Sequence, residues 1–150
     1  MATLGFQPYD GTFPIIQLPE QGAAFAAGDL LYLSGGYLIV SDTYAHIQFV
    51  ALDKYAAVTG TMHPVIEIMP SQRWVAQASA TTAETNKGYG GPIVYTTGSQ
   101  AVTPETSNTS HEEFIVDQLH PNDGATTGAG GRVIGHFNVL SSGVVYQAVT

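Results

Sequence analysis

Five histidines, His46, His63, His111, His120 and His136, are the side chains of this sequence best suited to hold a metal or move a proton at neutral pH. Their spacing serves neither task. A helix-borne zinc site needs two histidines four residues apart with a carboxylate between them, because that interval sets both rings on one face. The nearest approach is His111-Glu112-Glu113, with His120 nine residues further on. The histidines are therefore expected on surfaces and in loops, and no metal site is expected. Pro121-Asn122-Asp123-Gly124 lacks the alternating aspartates and the distant glutamate of a calcium loop, so a turn explains it better.

Nucleophilic chemistry fares no better. No G-x-S-x-G segment occurs, so no serine is expected on a strained turn. Glu112 and Glu113 would point to opposite faces of a strand, the wrong arrangement for one shared acid–base site. The GAGGRVIG segment lacks the Lys-Ser/Thr of a phosphate loop and leads into a strand instead of a helix. The absence of cysteine excludes disulfides, thiolate zinc sites, iron–sulfur clusters and cysteine nucleophiles. No catalytic residue and no cofactor is expected, and the chain is expected not to be an enzyme. A small hydrolase or isomerase would need a deep pocket joining His111 or His136 to an acidic partner. Asn108-Thr109-Ser110 fits the N-glycosylation triplet, a coincidence in a chain whose start carries neither a basic region nor a long apolar run.

The elements that must position these residues follow from composition. The chain has 150 residues, 44% hydrophobic but only 11% charged, against roughly 25% charged in an ordinary soluble domain. Its polarity comes from Thr, Ser, Gln, Asn and Gly, which suit strands and turns better than exposed helices. Four Lys and Arg stand against twelve Asp and Glu, a formal charge of -8. Such a field repels DNA, RNA and anionic lipid, so a nucleic-acid partner is not expected. The longest apolar stretch, Leu30 to Val40, is broken at Ser34-Gly35-Gly36 and is too short for a membrane helix.

Residues 1–22 predict an extended N-terminal arm, because Pro8, Pro14 and Pro19 remove backbone donors and hold their neighbours extended. Its Phe6, Tyr9, Phe13, Ile15 and Ile16 need an apolar destination, either in the body of the same chain or on a partner. Residues 23–150 predict one β-rich domain: a hairpin around Ser34-Gly35-Gly36, a strand at HIQFVA followed by a loop, and a strand at HPVIEIMP with Pro64 and Pro70 at its ends. RWVAQA continues that sheet, IVY and EEFIVDQL follow, and RVIGHFNVL with VVYQAV closes it. In the penultimate strand Arg132, Ile134 and His136 should face away from Val133, Gly135 and Phe137. The fold class is all-β, a small barrel or sandwich of about eight short strands with that arm. Trp74 is expected to pack in the core, whereas Tyr89 and Tyr95, in Gly-rich loops, could offer stacking surfaces outward.

The order of segments carries a resemblance. Gly28-Asp29-Leu30-Leu31 opens the β-rich body, Pro70-Ser71-Gln72-Arg73-Trp74 lies mid-chain and Gly130-Gly131-Arg132-Val133-Ile134 lies near the end. Over roughly Phe25 to Val139 this pattern resembles the small head decoration, or cement, proteins of tailed bacteriophages. The resemblance implies a non-enzymatic virion protein, made in the host cytoplasm, that binds the major capsid protein on the outer shell, often as a homotrimer on a local three-fold axis. On that reading Phe6, Tyr9, Phe13, Ile15 and Ile16 fill apolar recesses of the capsid while the arm adds to one of its strands. Many modest contacts then act together through effective concentration. The alternative is an accessory virion module that binds host surfaces or glycans through its Tyr- and Gly-rich loops.

Overall fold

A computed structural model describes residues 5–43, 46–107 and 113–138. The described residues are almost wholly β, with twelve strands and one short 3-10 turn at Glu84–Asn86. None of their helices is long and apolar enough to cross a membrane. In chain order the strands are β1 (Gln7–Asp10), β2 (Ile15–Pro19), β3 (Leu30–Ser34), β4 (Tyr37–Val40), β5 (Phe49–Ala51), β6 (Met62–Glu67), β7 (Arg73–Gln77), β8 (Gly90–Gly91), β9 (Ile93–Val94), β10 (Ala101–Val102), β11 (Phe114–Leu119) and β12 (Arg132–Phe137). One antiparallel sheet runs β1-β7-β12-β11-β8, a second runs β2-β6-β5-β3-β4, and β9 with β10 forms a ribbon.

The two large sheets make a sandwich. Leu30, Val50 and Ile66 of the second sheet meet Trp74, Ala76, Phe114, Val116, Val133 and Phe137 of the first, and Ile93 and Val102 of the ribbon join this core. At its centre Phe137 lies 5.1 Å from Phe114, 5.8 Å from Trp74 and 5.0 Å from Phe6, ring centre to ring centre. Such tilted and edge-on pairs contribute about 0.5–1.5 kcal/mol each beyond the area they bury. Trp74 is the core residue its sequence context predicted.

The second sheet buries both faces, as the unbroken apolar runs of its strands require. Leu30, Val50 and Ile66 face the sandwich, while Leu31, Phe49, Ala51 and Val65 face a second core with Phe25 and Leu38. The sheet curls around this second core until the residue after β2, Glu20, bridges to Leu38 of β4. That single bridge stops short of a closed barrel, so of the two expected architectures the sandwich is the one adopted.

Several local expectations hold and some do not. The hairpin turns at Gly35 and Gly36, both at positive φ, with Ser34 opposite Tyr37. Val133 and Phe137 face inward, and Arg132 and His136 outward, as the alternation predicts. Pro64 is not at a strand end: it lies inside β6 opposite Gln17. The position tolerates proline because β5 has ended there, and only the Pro64 carbonyl is engaged, by the Leu52 N–H at 3.3 Å. RWVAQA does not continue the same sheet as HPVIEIMP; the chain crosses to the other sheet at Gln72. The buried Gln72 amide makes that corner, accepting from the Met69 N–H and donating to the carbonyls of Thr12 and Glu67. The twelve strands exceed the eight expected because the predicted arm itself pairs as β1 and β2, and because the two-residue strands β8 and β10 leave no periodic signal. The expected VVYQAV strand, the Asn108-Thr109-Ser110 triplet, His111 and Glu112 lie outside the described residues.

Candidate interaction surface

The predicted N-terminal arm is built into the body from Gly5 onward. β1 pairs with β7, Gln7 opposite Val75, and β2 pairs with β6, Ile15 opposite Ile66, so one segment forms an edge of each sheet. This divides the five apolar arm residues. Phe6 is 2% exposed, packed on Phe114 and Phe137, and Phe13 lies edge-on to Trp74 at 5.0 Å. Both fill recesses of their own chain. Tyr9, Ile15 and Ile16 point outward, at 46%, 60% and 37% exposure. Residues 8–17 are exposed apart from Phe13, and they run along the outer edges of both sheets. Register slips between Pro8 and Asp10, and the irregularity lies at Tyr9.

Three polar clusters lie elsewhere. The first joins residues far apart in sequence: His63 Nε2 lies 2.6 Å from Glu20 Oε1 and His63 Nδ1 lies 2.8 Å from Asp53 Oδ1. Glu20 and His63 are buried and Asp53 is half-buried. The Ala56 N–H donates to Glu20 Oε1 at 2.6 Å, and Ala57, held at a φ of +63°, donates its N–H to the same carboxylate. Burial alone would raise the Glu20 carboxyl, but His63 and these two amides outweigh it and hold it below the ordinary range. Burial likewise opposes charge on His63, yet the two carboxylates raise its affinity for a proton above the ordinary value. The expectation of surface and loop histidines fails at this position. No spacing rule could have found the cluster, since His63 is 43 residues from Glu20 and 10 from Asp53.

The second cluster sits on the outer face of the first sheet. His136 Nδ1 lies 3.0 Å from Asp117, which also accepts from Arg73 Nε at 3.4 Å. A bulge between Val116 and Gln118 turns Asp117 into that position. The acidic partner that an enzymatic reading asked of His136 is therefore present, but on a half-exposed strand face. A shallow groove of about 370 Å³ among the described residues is lined by Gln77, Ser79, Val94, Ser99 and Gly130 among others, without a titratable side chain. In the third cluster Arg132 grips Asp123 with two nitrogens at 2.8 Å each and lowers its carboxyl to about 2.

Among the described residues no group of three or more His, Asp and Glu could hold a metal. Tyr95 is not an outward stacking platform: it packs on the sandwich core with its hydroxyl buried, and burial, then Glu113 and Asp42, keep that hydroxyl protonated. Tyr89 is half-buried.

One polar residue in each of the three segments that carried the resemblance fastens the fold. Asp29, fully buried, accepts from the Ala26 and Gly98 amides; Gln72 makes the sheet-to-sheet corner; Arg132 clamps Asp123. No protein-family model matches the chain, and no curated protein matches it.

Proposed function

We propose that this chain is a structural virion protein that binds the outer surface of a phage capsid and cements the shell, acting as a symmetric oligomer, with a homotrimer the form the resemblance implies. Its partner on this reading is the major capsid protein, and it needs no cofactor and performs no catalysis. The observation that carries the proposal is the ridge of Tyr9, Ile15 and Ile16 along the outer edges of both sheets. An edge strand presents main-chain donors and acceptors for which an extended capsid segment can compete, while apolar side chains beside it fill recesses. Because Phe6 and Phe13 are committed to their own core, the contact set narrows to the three outward residues. Each contact is modest, and a symmetric oligomer on a repeating lattice multiplies them.

Deletion of the whole segment would remove an edge from both sheets and the Phe6 ring from the core, so it tests folding instead of binding. The informative variant is Tyr9→Ser, Ile15→Ser, Ile16→Ser in the full chain, checked for a native circular dichroism spectrum and native solution mass. Co-sedimentation with emptied phage heads should then fall at least tenfold in affinity relative to the parent chain. Unchanged decoration by the folded triple variant would refute the ridge as the capsid contact.

A further inference from the structure

The Glu20–His63–Asp53 cluster stands apart from the proposed capsid contact, and its geometry carries a second conclusion. Both ring nitrogens of His63 face a carboxylate oxygen within hydrogen-bond distance, at 2.6 and 2.8 Å. A neutral imidazole has one N–H and one lone pair, and a lone pair aimed at a carboxylate oxygen repels it. The arrangement therefore needs one proton more than a neutral ring and two carboxylates possess. That proton is held where water scarcely reaches, since Glu20 is 0% and His63 3% exposed.

What the proton holds together is as specific as where it sits. Glu20 follows β2 and makes the bridge to Leu38 that brings the two edges of the curled sheet into contact. Its backbone N–H donates to Thr61 and its side chain accepts from Ala56. Asp53 belongs to the segment after β5, and His63 to β6. Phe25 lies edge-on to the His63 ring at 5.2 Å and carries Tyr55 on another side at 6.1 Å. The charged groups facing the ring are Glu20 from the β2 side and Asp53 from the 52–57 segment; Lys54 is exposed beside Asp53, and β3, β4 and β5 contribute Leu31, Leu38, Phe49 and Ala51 to the adjoining core.

We propose that Glu20, His63 and Asp53 form a proton-operated clasp: one shared proton fixes the end of β2 and the 52–57 segment to β6, and its loss at alkaline pH releases both while the sandwich core stays folded. Below the clasp's titration the sheet edges stay in contact. Above it, a buried carboxylate faces a lone pair, and opening lets water solvate both.

The test is native-state hydrogen exchange on the full chain from about pH 5 to about 9, read at the Ala56 and Glu20 amides and at the β12 amides, with the His63 ring titrated in parallel by NMR. The clasp requires His63 to titrate above 6.5. Between the ordinary histidine value of 6.5 and that midpoint the local opening constant at Ala56 and Glu20 should rise about tenfold per pH unit, one proton's worth, and then level off, with β12 unaffected. Asp53→Asn, at a half-exposed position that tolerates the change, should move the His63 titration and the opening midpoint down together by about one pH unit. Glu20→Gln should move both further; if that variant does not fold, Asp53→Asn decides alone. Protection at Ala56 indifferent to the state of His63, or midpoints that Asp53→Asn leaves in place, would overturn the clasp.

Discussion

Gly135 of β12 lies against the ring of Phe114 of β11, its diagonal neighbour on the ladder, with no room between them for a methyl group. A Cβ at Gly135 would lie 2.7 Å from the Phe114 ring and 2.0 Å from the Ile115 carbonyl oxygen. The missing side chain is what lets the central aromatic cluster close over the sheet, since Phe114 packs on both Phe6 and Phe137. Gly135→Ala must push the strands apart at the Ile115 carbonyl and also displace the Phe114 ring. Overpacking at a backbone contact costs on the order of 3 kcal/mol, and urea unfolding should show this as a lower midpoint with an unchanged slope.

Neighbouring residues of one segment should respond in opposite ways. Phe6→Ala empties a site in the aromatic core and should lower stability by about 3–5 kcal/mol in urea unfolding. Ile15→Ser, at a 60% exposed edge position, should stay within about 0.5 kcal/mol of the parent in the same measurement. Equal effects would contradict the division of this segment into an inward and an outward set.

The Arg132–Asp123 pair predicts an acid-range signature. Asp123 is lowered from 3.8 to about 2 in the folded chain, chiefly by hydrogen bonds from Arg132. A depressed carboxyl contributes stability that is complete above its unfolded pKa and is lost as pH falls through its folded one, so the relevant window runs from about 4 down to about 2. Asp123→Asn should cost about 1–2 kcal/mol at neutral pH, after allowance for the partial exposure of Arg132, with the cost shrinking below about pH 4 and vanishing only below about pH 2. Thermal unfolding of both proteins across this range checks it: the two curves should converge only at the acid end.

Periodicity and turn chemistry made the β class, the Gly35-Gly36 hairpin, the buried Trp74 and the two faces of β12 legible in the sequence. Each rests on a short-range rule, alternation or a left-handed turn, that needs no knowledge of distant partners. What stayed illegible depends on long-range pairing. Pro64 sits inside a strand because of where β5 stops; Gln72 is a corner because two different sheets meet there. The same holds of His63, whose partners arrive from 43 and 10 residues away. Phe6 and Ile15 are both apolar residues in a proline-rich stretch, and only the pairing of β1 with β7 and β2 with β6 assigns one to the core and the other to the edge.

That pairing also sets an order of events during synthesis. β1 and β2 leave the ribosome well before β6 and β7 exist, since Gln7 must wait for Val75 and Ile15 for Ile66. Until then Phe6 and the three outward residues are exposed together on an unpaired strand. Such distant closures are slow to form, so the nascent chain is at its most adhesive before it is complete, and co-expressed chaperones should raise the yield of folded protein more than lower temperature alone.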